Sequence, residues 1–284
     1  MQVLRLRGGT GRCQWLDIGY GLVDGLTSVH QVRPQVPERV QLAIMAVLTG
    51  LVAVYAWHAI TVTHHSAPNS TAALSGSTRP GQLAARPIDK VVVFGDSYAA
   101  GYGASRKARA WVARLGRTAG WTVHSLAHGG TGYLTVPKHG GAPGCQRHRC
   151  LPLPQVVSAA AATEDPDLVL VSSGRSDVHQ PADVERAAVQ ATFRAARRCF
   201  PRAQIVAVNP LWDGTTPPAA LWVIRSDVKA AVTSVDGTML DVGQPLSGQE
   251  FWVGLDGVTP NNAGHTAIYR AVLAEARKAG LISE

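Results

Sequence analysis

From residue 89 onward, short apolar runs alternate with stretches whose apolar positions recur at helical spacing. The runs 90–94, 121–126, 168–172, 204–208 and 238–241 are predicted strands, and 107–119, 155–163, 181–199, 217–235 and 261–280 are predicted helices. Runs such as Leu168-Val169-Leu170-Val171 lack polar alternation, which means burial on both faces of a sheet. Strands of that kind separated by helices predict an α/β domain with a parallel sheet covered by helices. Pro181 is a start signal for the third helix, and Asn261 and Asn262 are candidate caps for the last. No internal repeat is visible.

The pattern before residue 89 is different. Residues 1–39 show no sustained periodicity and read as a poorly structured N-terminal cytoplasmic region. No charge occurs from Leu42 to Trp57, and the apolar stretch extends to about Val62. A stretch of about 20 residues is enough to cross a hydrocarbon core of ~30 Å. Arg33 and Arg39 precede it, and the next Lys or Arg is Arg79. The positive-inside rule therefore puts the N-terminus in the cytoplasm and the rest outside. The expectation is one transmembrane signal-anchor over 40–62, with a buried core helix or a cleaved signal peptide as alternatives. Residues 63–88, rich in Ser, Thr, Ala, Pro and Gly, read as a flexible linker leading to a domain over 89–284.

Composition and charge refine this picture modestly. The chain is 46% hydrophobic and 16% charged, a globular composition, with a net charge of +8. That charge suits solubility or an anionic envelope surface. Arg194, Arg197 and Arg198 lie on one face of a predicted helix without interleaved aromatics, which argues against nucleic-acid binding. Cys145 and Cys150 fall in a Gly/Pro/His/Arg-rich loop, whereas Cys13 and Cys199 stand alone. A small disulfide loop in an oxidising compartment is the preferred reading of the pair. Free thiols, or a metal site with His139 and His148, are the alternatives, and the metal site lacks a second compact Cys/His pair.

The candidate chemistry begins at Val91-Val92-Val93-Phe94-Gly95-Asp96-Ser97, an apolar strand ending in a tight turn with a Ser at its tip. The carboxyl edge of a sheet is where α/β proteins place reactive side chains. Three further blocks follow strands or open the last helix: Ala127-His128-Gly129-Gly130-Thr131-Gly132, Gly174-Arg175-Ser176-Asp177, and Asp256 to His265. Together, in this order, the four blocks resemble those of the SGNH (GDSL-type) hydrolases.

The resemblance implies a three-layer α/β/α flavodoxin-like domain with a five-stranded parallel sheet in the order 2-1-3-4-5. Strands one and three would then flank the switch point, with Ser97 beside the Gly174–Asp177 loop. It further implies Ser97 as nucleophile, Asp256 as the orienting carboxylate, and Gly132, with Gly130 second, as oxyanion donor. Two positions depart from the family pattern. Ser176 stands where the oxyanion Asn belongs, and Thr259 stands where the catalytic His belongs. A Thr hydroxyl cannot accept a proton near neutral pH, so it cannot be the general base. His265, His128 and His179 are the candidate substitutes. His265 lies six residues beyond Thr259, about 9 Å along a helix, and a packing role suits it better. Trp212 and Trp252 follow strand ends and are candidate cleft residues, and the 133–154 insertion is expected to overhang the site.

The resemblance implies no metal and no organic cofactor. The leading expectation is a membrane-anchored extracytoplasmic hydrolase acting on an acyl or acetyl ester of an envelope glycan or lipid. The alternative is a domain that kept the fold and binds a glycan or a partner without turnover.

Overall fold

The computed structural model describes residues 87–137 and 151–283. The N-terminal region, the 40–62 segment and nearly all of the linker lie outside these residues, as do Cys13, Cys145, Cys150, His139 and His148. Among the described residues no helix is long and apolar enough to cross a membrane.

Five strands form one sheet: β1 (Lys90–Gly95), β2 (Thr122–Ser125), β3 (Leu168–Ser172), β4 (Gln204–Val208) and β5 (Thr238–Leu240). Their order is β2-β1-β3-β4-β5 and every pairing is parallel. The described helices are α1 (Ser97–Ala100), α2 (Trp111–Ala119), α3 (Leu153–Ala160), α4 (Ala182–Cys199), α5 (Ala219–Thr233) and α6 (Asn262–Lys278). The architecture is the α/β/α sandwich that the strand–helix alternation and the family resemblance led us to expect.

Side chains alternate between faces along each strand, and both faces are buried here. Val92, Phe94, Val169, Val171, Ile205 and Ala207 pack under α3, α4 and α5. Val91, Val93, Leu168, Leu170, Val206, Val208 and Leu240 pack under α1, α2 and α6 on the other side. Each fully buried side chain of this size contributes about 1.5–3 kcal/mol relative to exposure. This is why the central strands read as unbroken apolar runs.

Asn261 caps α6 by accepting from the Ala263 and Gly264 N–H groups. The stretch 107–119 is not one helix. It divides into a 3-10 turn, Lys107–Arg109, and α2, with Ala110 extended between them. The break is tolerated because Trp111 is held from elsewhere. Its backbone N–H donates to His265 Nδ1 (3.4 Å) and its indole N–H to the Tyr98 carbonyl (2.9 Å). Cys199, at the end of α4, is disulfide-bonded, so it does not stand alone. Its partner lies outside the described residues.

Candidate active site

The first edge of the site is the turn after β1. Gly95 lies in register with Ser172 of β3, and a Cβ at Gly95 would come 2.1 Å from the Ser172 carbonyl oxygen. Only glycine permits that approach. Asp96 N–H donates to the same carbonyl (3.2 Å). Asp96 Oδ1 then accepts from the Tyr98 (2.9 Å) and Ala99 (3.4 Å) N–H groups, turning the chain into α1. Burial pushes the Asp96 carboxyl up to about 6. Ser97, half-buried, is the first residue of α1. Neither its backbone N–H nor its hydroxyl is bonded to a described residue.

The second edge follows β2. His128 N–H donates to the Gly95 carbonyl (3.0 Å), which draws the 127–132 loop against the end of β1. The His128 ring is half-buried and unbonded among the described residues, and burial holds its pKa below the ordinary value. A neutral ring is the form a general base requires. The Gly130 N–H is also uncommitted among the described residues. The Gly132 N–H is not, because it donates to the Thr135 carbonyl (2.7 Å).

Gly132 has a steric reason to be glycine: a Cβ there would lie 2.3 Å from both carboxylate oxygens of Asp177. Asp177 is 1% exposed and follows β3. Its partners come from across the edge, not from its own loop. Oδ2 accepts from the Tyr133 N–H (2.6 Å), and Oδ1 accepts from Leu134 (3.2 Å) and Thr135 (2.8 Å). A buried carboxylate is tolerable only when its lone pairs are filled, and three backbone donors fill them. Ser176 is half-buried, its hydroxyl is unbonded among the described residues, and its carbonyl accepts from the Thr135 hydroxyl (3.0 Å). His179 is exposed.

The third edge is the turn ahead of α6. Val253 and Pro260 form an antiparallel bridge, and Gly254 N–H donates to the Thr259 carbonyl (2.7 Å). Asp256 Oδ1 accepts from the Val258 (3.0 Å) and Thr259 (2.9 Å) N–H groups. Its Oδ2 accepts from the Thr259 hydroxyl (2.6 Å). The hydroxyl, helped by those amides, holds the Asp256 carboxyl below its ordinary range. The Tyr98 hydroxyl donates to the Val258 carbonyl (2.5 Å), fastening this turn to α1 and hence to Ser97.

His265 does not face this turn's open side. It is fully buried, with Nε2 against the Tyr102 carbonyl (2.9 Å) and Nδ1 accepting from Trp111 N–H. Nε2 therefore carries the proton, and burial keeps the ring neutral by lowering its pKa. Both nitrogens are committed to joining the 102–111 segment to α6.

Sequence reasoning did not single out Arg175. Its guanidinium lies 4.4 Å from the Trp212 ring centroid and 5.5 Å from that of Tyr98, and donates to Asp213 Oδ2 (2.6 Å). Tyr98 stands where family members often carry Leu. An aromatic after β1 and an Arg after β3 were the available signal, since those strands are neighbours. Trp252 is half-buried against the α2/α6 face of the core. Among the described residues no group of three or more His, Cys, Asp or Glu is placed to hold a metal ion.

A five-stranded parallel sheet in this order, with a Gly-Asp-Ser turn at its switch point, defines an SGNH-type α/β hydrolase fold. The chain belongs to the GDSL-like lipase/acylhydrolase family, whose pattern matches residues 93–267. It is 29% identical over 192 residues to a GDSL lipase of Mycobacterium tuberculosis, spanning 63% of this chain and 77% of the relative.

Among solved structures it resembles a family two carbohydrate esterase from Clostridium thermocellum, at 20% identity and TM-score 0.52, covering 69% of this chain and 66% of that one. An active-site mutant of such an enzyme from the same organism is covered over 64% of its length. The carbohydrate acetylesterase Est24 from Sinorhizobium meliloti matches at 14% identity and TM-score 0.53, covering 68% of this chain and 100% of that one. At these identities the structural likeness speaks to the fold.

Proposed function

We propose that this protein is a GDSL-type ester hydrolase whose nucleophile is Ser97 and whose general base is His128. One observation carries the reading. Among the described residues, the Ser97 hydroxyl and N–H at the end of β1 are both uncommitted, and the adjoining loop offers an uncommitted imidazole and an uncommitted Gly130 N–H. The Ser97 oxygen attacks the ester carbonyl while His128 takes its proton. The Ser97 and Gly130 amides, with the Ser176 hydroxyl, hold the oxyanion. The alcohol leaves with the proton from His128, and water then releases the acid from the acyl-enzyme. Asp256 is assigned to shaping the turn that carries Thr259, with no base to orient.

The substrate is an acyl or acetyl ester of an envelope glycan or lipid. Support comes from the lipase relative and from the carbohydrate esterases that share the fold. We place the domain outside the membrane, behind a single-pass anchor over 40–62. The uncharged stretch 42–57 and Arg33 and Arg39 before it support that placement, as does the Cys199 disulfide.

A second reading, a glycan- or partner-binding module without turnover, is favoured by the Thr259–Asp256 hydrogen bond, which occupies the usual place of the catalytic pair. Hydrolysis of an activated short-chain ester by the full chain separates the two. Slow turnover, abolished in Ser97→Ala and reduced about 10²-fold or more in His128→Gln, is the expected result. Turnover indistinguishable between the parent and Ser97→Ala makes the protein a binding module.

A further inference from the structure

The hairpin that carries Thr259 also carries the two most exposed large apolar side chains among the described residues, Phe251 at 94% and Leu255 at 110%. Val258, at 36%, is less exposed than Trp222 and Val223 on α5, each at 43%. These side chains are not on a slack loop. Trp252 N–H donates to the Gln249 carbonyl (2.9 Å), Gly257 N–H to the Gly254 carbonyl (3.0 Å), and Val253 bridges Pro260. The Asn261 amide donates to the carbonyls of Phe251 (2.7 Å) and Val253 (3.1 Å). The backbone is held at both ends and in the middle, so the apolar groups are presented to solvent and cannot fold back. Scattered exposed apolar residues need no explanation, but a braced turn that presents two of them beside Thr259 does.

A basic strip lies beside it. Arg106, Lys107 and Arg109 are all exposed, and none is in an ion pair among the described residues. The strip is fastened to the start of α6, two residues past the end of the hairpin. Ser105 N–H donates to Asn262 Oδ1 (3.1 Å), and the Asn262 amide donates to the Ser105 hydroxyl (3.1 Å). The carboxylates on the hairpin stretch are Glu250 and Asp256, both exposed, against the three cations of the strip, and Asp256 accepts from the Thr259 hydroxyl.

We propose that the 251–260 hairpin and the 106–109 strip together dock this domain onto an anionic lipid surface. Phe251 and Leu255 would enter the headgroup–acyl boundary while Arg106, Lys107 and Arg109 meet the headgroups. An apolar tip beside an unpaired cationic rim is the combination that such a surface binds. The Tyr98–Val258 hydrogen bond ties the hairpin to α1, so docking brings the Ser97 turn to the lipid phase. The inference does not rest on turnover by Ser97, because its readout is binding.

The test uses the full chain carrying Phe251→Trp, mixed with phosphatidylglycerol vesicles whose acyl chains are brominated. The quantity read is the fluorescence quenching that Phe251→Trp adds over the parent, so that signal from any other membrane contact cancels. Docking predicts a clear added quenching on these vesicles. It falls several-fold on phosphatidylcholine vesicles and in the Arg106→Glu/Lys107→Glu/Arg109→Glu background, and Leu255→Asp abolishes it. Absence of added quenching on the anionic vesicles overturns the proposal. So does added quenching that ignores both headgroup and charge reversal. Absence of quenching together with a Leu255→Asp-sensitive dimer in sedimentation assigns the patch to a second copy of this chain instead.

Discussion

The turn after β1 and the turn before α6 meet at one edge of the sheet, yet they treat their polar groups in opposite ways. After β1, Asp96 accepts from the Tyr98 and Ala99 amides, and the Ser97 hydroxyl and N–H are both open among the described residues. Before α6, Asp256 takes the Val258 and Thr259 amides and the Thr259 hydroxyl, so the pair closes on itself. His265, the nearest imidazole along the chain, is closed as well. One turn retains groups able to react and the other has become scaffolding. In a family-typical site both would be open towards each other. Here the difference supports the proposal that reactivity lies on the strand-one side and in the loop after β2.

The largest way to break this contrast is Thr259→His. It removes the hydroxyl that closes on Asp256 and restores an imidazole beside the carboxylate. A positioned general base is worth about 10²–10⁴ in rate, and kcat/KM for an activated ester is expected to rise by that order. An unchanged kcat/KM means that the turn no longer faces Ser97.

Asp177→Ala tests the scaffold on the open side. It strands three amides at 133–135 and removes a charged acceptor, which predicts a loss of about 3–5 kcal/mol of stability, measured by denaturant unfolding. Turnover should fall with it, because the loop carrying His128 and Gly130 leads directly into that anchored segment.

Two smaller effects have opposite pH signs. Glu185 on α4 is buried with neither carboxylate oxygen bonded, and burial, with Asp177 and Asp227 nearby, pushes it up to about 8. The folded state thus keeps a proton that the unfolded chain releases near 4.5, and stability falls as pH rises from about 4.5 to about 8. Glu185→Gln should raise Tm over the parent, more at pH 8 than at pH 5. His265 behaves conversely. Its pKa is lowered by burial, so the unfolded chain binds the extra proton and stability is lost as pH falls below the ordinary value of 6.5. His265→Gln should cost about 1 kcal/mol at pH 8 and flatten the acid side of the Tm profile.

The two turns also differ in how much of them the sequence disclosed. The strand-one turn was readable because its causes are local. An apolar run, a glycine where β3 crowds in, and an Asp that caps its own helix all lie within eight residues, 90–97. The same holds for the sheet and for the Asn261 cap. What stayed hidden depends on distant partners. The break at Ala110 rests on a histidine 154 residues away, and Asp177 draws its donors from 42 to 44 residues back. The commitment of the Gly132 N–H to Thr135, which moves the uncommitted amide to Gly130, depends on that same anchored loop. Arg175 escaped notice because its neighbours Tyr98, Trp212 and Asp213 follow β1 and β4. The Thr259–Asp256 bond is the exception: both residues were visible, three apart, but a hydroxyl closing on a carboxylate is a matter of side-chain direction.

The most direct measurement of the central claim is the rate at which a fluorophosphonate labels the full chain, with the modified residue identified by peptide mass. The account predicts slow labelling confined to Ser97, slower still in His128→Gln and faster by about 10² or more in Thr259→His. Ser97 left unmodified in both the parent and Thr259→His would contradict it.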